Sequence, residues 1–138
     1  MTLTNHISNK WMKKVTLLSL LLFFFTVPHT LEDFSTGQPA EAGIPAPILA
    51  LVISIILSLQ AIGLFWIGQG RRQGLFVQAG IGLFWPVASG VAQLPVILSG
   101  SPFRSGVVSL LYVFGMIVVG LSLFTCAVIS LRVGEGKK

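Results

Sequence analysis

The stretch APILALVISIILSLQAIGLFWI, residues 46–67, decides the fold of this chain, and it contains no Lys, Arg, Asp or Glu. An α-helix rises 1.5 Å per residue, so about 20 apolar residues cross the roughly 30 Å of hydrocarbon in a bilayer. The apolar core of a signal peptide and the buried helices of soluble domains are usually shorter. Residues 46–67 therefore predict a transmembrane helix.

Three further stretches on either side of this one have the same character. They are residues 15–31, 75–98 and 106–131, and none of them contains a charged side chain. Of the whole chain, 54% of residues are hydrophobic and 9% are charged, whereas a soluble domain carries about 25% charged residues. The sequence predicts an all-α integral membrane protein: a four-transmembrane-helix bundle that forms a single membrane domain over residues 1–138, with an external loop at 32–45.

The charged residues indicate an orientation for this bundle. With four crossings, one side receives Lys10, Lys13, Lys14, Arg71, Arg72, Arg132, Lys137 and Lys138, and the other receives Arg104 with Glu32, Asp33 and Glu41. Basic loops remain in the cytoplasm. We therefore expect both termini to be cytoplasmic and the chain to lie in the plasma (inner) membrane. The basic residues form no stripe or motif for nucleic acid, so the lipid bilayer is the first expected partner.

The first span also fits a second interpretation. Lysines followed by the apolar core 15–27 and then by polar residues resemble a signal peptide, and Ala40-Glu41-Ala42 resembles its cleavage site. That triplet lies far beyond the apolar core. The sequence therefore favours a retained first span, with cleavage near residue 42 as the alternative.

Several residues inside the spans predict how the helices meet. Pro86 and Pro95 predict kinks in the third span, because proline lacks the amide donor of the helix. The amides of Gln60, Gln78 and Gln93 need partners in hydrocarbon and predict polar contacts between helices. Gln60 and Gln78 lie on consecutive spans joined by a short turn, so we expect them to bond to each other.

Two other features of the spans also predict contacts. Ala50, Ser54 and Ser58 recur at steps of four and predict a packing face, since small side chains let helices approach closely in lipid. Trp85 lies at mid-depth, where its indole N–H needs a partner.

One polar cluster can carry chemistry: His29, Glu32 and Asp33 at the end of the first span. If the helix continues past Pro28, their spacing of three and four residues places them on one face. An imidazole with two carboxylates can bind a divalent metal or relay a proton. In the alternative, which the sequence favours, Pro28 ends the span and the three side chains lie in water.

No cofactor is predicted. The single cysteine, Cys126, excludes both an internal disulfide and a thiolate zinc cluster. His6 and His29 fall on opposite sides of the predicted membrane, so they do not form a bis-histidine haem site.

No motif names a reaction, and three functional hypotheses follow in order of preference. The first is a small non-catalytic protein, an accessory or structural subunit of a larger membrane complex that contacts other subunits or a copy of itself. The second is a homo-oligomeric channel or transporter built around the third span and the three glutamines. The third is a small membrane enzyme or metal-binding protein that uses His29, Glu32 and Asp33.

Overall fold

The computed structural model describes residues 3–100 and 105–135, with side chains for 10–100 and 105–133. Arg104, Lys137 and Lys138 lie outside the described residues. The described part of the chain forms the helices α1 (Leu3–Ser35), α2 (Gln38–Glu41), α3 (Ala46–Gly68), α4 (Gln73–Leu98) and α5 (Val107–Glu135), and it contains no strand. The four long helices are long and apolar enough to span a membrane.

The four long helices pack in an order that differs from their order along the chain. α4 packs most extensively against α5, α5 packs against α1, and α3 packs against α4. α1 and α3 touch only slightly, and α3 is the least buried of the four. The bundle is therefore open between α1 and α3.

The contact between α4 and α5 depends on two glycines. A Cβ atom on Gly82 would lie 2.6 Å from the backbone nitrogen of Phe124 and 2.9 Å from the carbonyl oxygen of Gly120. A Cβ atom on Gly120 would lie 2.6 Å from the ring of Pro86. Glycine lets the two backbones approach this closely, which strengthens van der Waals packing in lipid. α4 runs unbroken through Pro86 and Pro95, and Pro86 contributes a packing contact with α5.

Two of the three glutamines join three helices. Gln60 and Gln78 are both fully buried. The Gln60 side chain donates to the carbonyl oxygen and the hydroxyl of Ser19 on α1, at 3.0 and 3.1 Å. The Gln78 side chain donates to the backbone carbonyl of Gln60 at 2.8 Å. The expected contact between Gln60 and Gln78 thus runs from a side chain to a backbone oxygen, and it ties α4 to α3.

The basic segments of the chain meet at one end of the bundle. Trp11 of α1, Arg71 and Arg72 of the α3–α4 turn, and Ser130 of α5 line a common cavity of about 160 Å³. The guanidinium of Arg72 donates to the carbonyl oxygen of Leu131 at 2.8 Å, where α5 approaches its end. We call this end of the bundle the basic end, and the opposite end, which carries Glu32 and Asp33, the acidic end.

The structure differs from the predicted span at 15–31 and loop at 32–45. α1 passes through Pro28 and ends at Ser35, and α2 forms a further short turn of helix. The last turns of α1 are held by a tertiary contact, because the hydroxyl of Ser109 on α5 donates to the Glu32 carboxylate. The helix continues past Pro28 despite the missing backbone hydrogen bond, because α1 is packed against α5 and its last turns are bonded to Ser109.

The predicted packing face of α3 lies at the surface of the described chain, where Ala50 and Ser54 line an open cavity of about 200 Å³ shared with the end of α1. Ala50, Ser54 and Ser58 are all exposed. α3 instead turns its glycine face toward α4: a Cβ atom on Gly74 would lie 2.5 Å from the carbonyl oxygen of Gly63. The close approach of these two glycines, and not the alanine and serine stripe, sets the rotation of α3.

Candidate functional site: the crevice around His29

A crevice of about 240 Å³ lies between α1, α3 and α4, near the end of α1. Its walls are α1, α3 and α4, and residues of α2 and of the segment leading to α3 lie across it. The polar side chains that line it are His29, Thr30, Asp33, Gln38, Ser89 and Gln93, and the ring of Trp85 lines it too. Leu49, Val52, Ile53 and Ile56 of α3 form an apolar wall. We call this space the His29 crevice.

His29 lies between two carboxylates of its own helix. Its Nδ1 atom is 3.8 Å from Glu32 Oε2, and its Nε2 atom is 3.7 Å from Asp33 Oδ2. These distances are too long for hydrogen bonds and suit ion pairs when the imidazole is protonated. The residue is only 4% exposed. The imidazole of His29 is thus buried inside the protein, and a carboxylate lies near each of its two ring nitrogens.

The burial of His29 corrects the favoured sequence interpretation. Pro28 does not end the span, and His29 does not lie in water beyond a helix end. It lies six residues before the end of α1, about 9 Å along the helix axis. The spacing of three and four residues was the signal that mattered, because it holds only in a continuous helix.

Glu32 and Asp33 have different surroundings. One oxygen of Glu32 accepts from the hydroxyl of Ser109 and from the backbone N–H of Ser105, the latter at 3.3 Å. Glu32 therefore connects α1 to the start of α5. Asp33 lines the crevice, and its side chain is more exposed than that of Glu32. Of the two acids, Asp33 is the one that a bound molecule would meet.

The geometry of this cluster bears on the metal hypothesis. Within the described residues, no three or more His, Cys, Asp or Glu side chains are arranged to hold a metal ion. The reason at His29 is that Glu32 and Asp33 face opposite nitrogens of the ring, so their oxygens do not converge with one nitrogen on a single point. Convergence of ligands is what a metal site requires.

α4 supplies a second set of polar groups to the crevice. Trp85 is 7% exposed, and its indole N–H has no acceptor among the described residues. Its ring meets the ring of Phe84 edge to face, with centroids 5.3 Å apart. Ser89, one turn further, is buried and donates to the sulfur of Met116 at 3.8 Å. Trp85 therefore contributes part of its ring to the wall of the crevice, while its indole nitrogen is buried behind that wall.

The members of this site are recognisable in the sequence one by one, but nothing in the sequence places them together. In the sequence, the polar groups of Trp85 and Gln93 each need a partner in the membrane, whereas no prediction rests on Ser89. The three lie four residues apart on α4 and line one cavity with His29. A spacing of four along a span is the signal that could have grouped them. Nothing local to α4 shows that this face meets the end of α1.

Comparison with known proteins found no match, so the chemical properties of the site are inferred from its geometry. No family model matches the chain, and no curated protein or solved structure matches it significantly. The crevice has an apolar wall on one side, and an imidazole, a carboxylate and an indole ring on the other. Such a space suits a small molecule that is polar at one end.

Proposed function

We propose that this chain is a small integral membrane protein that binds a membrane-soluble small molecule in the His29 crevice. The observation that carries the proposal is the burial of His29, at 4% exposure, beside a cavity of about 240 Å³. An ionisable side chain inside a span is costly, and it is usually retained for a function. Apolar pockets with a few convergent polar groups are the usual form of a small-molecule site.

The crevice is accessible from the sides of the bundle. Val52 on α3 and Phe84 on α4 both line it, and they are 45% and 41% exposed. Both side chains are apolar, so the entrance between the helices faces the lipid side of the bundle. This favours a molecule that reaches the site from the bilayer.

Filling the crevice should remove the bound molecule. Ala88 lines the crevice, and Ala61 faces outward from α3. We expect Ala88→Phe to retain at least about tenfold less of the native small molecule than the wild-type chain, because the new ring occupies its space. Ala61→Phe is the matched control and should retain all of it. Mass spectrometry of extracts from protein purified in mild detergent measures the amounts.

The thermal unfolding temperature and the elution volume of the two variants must agree with the wild type for this comparison to hold. Equal retention by Ala88→Phe and Ala61→Phe would contradict binding in the crevice.

A second proposal concerns assembly, and α3 supports it. This helix is held mainly by α4, and it presents Ala50, Ser54 and Ser58 at the surface. Small residues on an outward face allow another transmembrane helix to approach closely. We propose that the chain serves as a non-catalytic accessory or structural subunit, with this face of α3 against another membrane protein or a second copy.

Cysteine cross-linking in native membranes tests the assembly proposal. In a Cys126→Ser background, Ser54→Cys on α3 should form a cross-linked product with a short bifunctional reagent. Thr125→Cys lies exposed on α5 and should not. Product from both positions, or from neither, would count against an interface at the α3 face.

Two further parts of the proposed function concern the membrane and the other hypotheses. The gathering of Arg71, Arg72 and the basic start of α1 at one end supports a cytoplasmic location for both termini in a plasma (inner) membrane. The channel or transporter hypothesis receives less support. Gln60 and Gln78 are fully buried in contacts between helices, and only Gln93 lines the crevice.

A further inference from the structure

We propose that the cavity at the basic end of the bundle binds the phosphate of an anionic phospholipid. This site lies at the opposite end of the bundle from the His29 crevice, so the inference does not depend on the proposed function. The cavity has a volume of about 160 Å³. It lies where the start of α1, the α3–α4 turn and the last turns of α5 come together.

The side chains around this cavity carry positive charge. Arg71 and Arg72 line it, and both are exposed. Lys14 adds a third cation beside it, because its Nζ atom lies 4.6 Å from the ring centroid of Trp11, which also lines the cavity. Among the residues whose side chains the structure describes, no Asp or Glu lines this space. The cavity therefore favours an anion.

The two arginines of the cavity have different surroundings. The Arg72 guanidinium donates to the carbonyl oxygen of Leu131 at 2.8 Å, which holds its side chain against α5. The backbone of Arg71 is fixed by a hydrogen bond from its N–H to the carbonyl oxygen of Trp66 at 2.8 Å. Its guanidinium makes no hydrogen bond or ion pair with the described residues. A guanidinium presents its N–H donors in a planar fork that matches the oxygens of a phosphate. Arg71 is therefore the direct phosphate ligand.

The depth of the cavity favours a phosphate that belongs to a lipid. The headgroup layer on each side of the hydrocarbon is about 5–8 Å thick. Arg71 follows Ile67, the last apolar residue before the turn, by only four residues. Trp11 lies at the same end, and tryptophan concentrates at the level of the headgroups. The arginine fork is thus placed at the depth of the lipid phosphates.

The size and the apolar part of the cavity also fit a phospholipid. A cavity of about 150 Å³ accommodates one benzene molecule, and a phosphate with its four oxygens is no larger than benzene. Met12, Leu75 and Val133 give the cavity of about 160 Å³ an apolar side. The glycerol carbons of a lipid would contact this side, whereas inorganic phosphate would leave it empty.

The charges around the cavity select an anionic headgroup over a zwitterionic one. Lys10, Lys13 and Arg132 are exposed at this end of the bundle, where the sequence contains one acidic residue, Glu135. Phosphocholine has an ammonium group beside its phosphate, which the surrounding cations would repel. In phosphatidylglycerol the phosphate is esterified to uncharged glycerol, so the headgroup is negative. Basic pockets between transmembrane helices attract such headgroups.

Titration with short-chain lipids tests this inference. The full chain in mild detergent is titrated with dioctanoyl phosphatidylglycerol or dioctanoyl phosphatidylcholine, and native mass spectrometry counts the bound molecules. We expect the first phosphatidylglycerol to bind at least about tenfold more tightly than phosphatidylcholine. Arg71→Gln should weaken its binding about tenfold. Arg132→Gln removes the same charge from an exposed position outside the cavity lining, and it should weaken binding less than about twofold.

The lipid-free unfolding temperatures of both variants should equal that of the wild type, since both arginines are exposed. Equal weakening by the two substitutions would indicate a general attraction between charges and would overturn the site. Equal affinity of the wild type for the two lipids would overturn the selection of an anionic headgroup.

Competition by a soluble phosphate distinguishes the two sources of this ligand, and it needs only the wild-type chain. Glycerol 3-phosphate has the same phosphate and glycerol but no acyl chains. At a concentration equal to that of the lipid, it should displace less than about a tenth of the bound phosphatidylglycerol. Displacement of half of the lipid would mean that the cavity binds soluble phosphates, and the assignment to a lipid would be wrong.

Discussion

Gly82→Leu should destabilise the bundle by about 3 kcal/mol or more, whereas Gly80→Leu, two residues earlier on the same helix, should not destabilise it. A side chain on Gly82 would meet the backbone of α5 at once, with the nitrogen of Phe124 at 2.6 Å from the first added atom. A backbone atom cannot move aside as a flexible side chain can. The two helices would have to separate along the most extensive contact in the bundle.

Gly80 is a close control for this substitution. A Cβ atom there meets nothing within 4 Å, and the residue is exposed. Both substitutions replace glycine by leucine within α4, so both gain a similar helix propensity, less than about 1 kcal/mol. Unfolding of the two variants in mixed detergent micelles, followed by circular dichroism, gives the difference. Equal midpoints for the two variants would contradict the close crossing of α4 and α5.

Glu32→Ala should cost about 2 kcal/mol, while Glu41→Ala should change the stability by less than about 0.5 kcal/mol. Glu32 accepts hydrogen bonds from Ser109 and Ser105 and joins the end of α1 to the start of α5. Its removal leaves the hydroxyl of Ser109 without this acceptor in a part-buried position. Glu41 is exposed, and its carboxylate accepts from the side-chain amide of Gln38, three residues away.

A double-mutant cycle distinguishes this contact from a general effect of charge. Ser109→Ala should reproduce most of the loss seen with Glu32→Ala, and the two losses should not add, because both substitutions remove the same hydrogen bond. Free energies of unfolding in detergent micelles supply the four corners of the cycle. Additive losses would show that Glu32 stabilises the protein in some other way.

The position of the site depends on contacts between residues that are far apart in the sequence. The spacing of His29, Glu32 and Asp33 was visible, but its meaning depended on whether the helix continues past Pro28. That continuation is supported by the bond from Ser109, a residue 77 positions away. Likewise, the need of Trp85 for a partner was visible, but its position beside His29 follows from the packing of α4 in the bundle.

The sequence by itself determined the four long apolar helices and the separation of basic and acidic residues. Both properties are local. Each span is a run of apolar residues long enough to cross a bilayer, and the charged residues of each connecting segment can be counted in the sequence. Only the tertiary structure shows which helix faces pack together. All four spans are similarly apolar, so in lipid the hydrophobic effect does not favour one helix face over another. Close approach at Gly82, Gly120 and Gly63 fixes which faces pack together, and the His29 crevice is the space that remains between α1, α3 and α4.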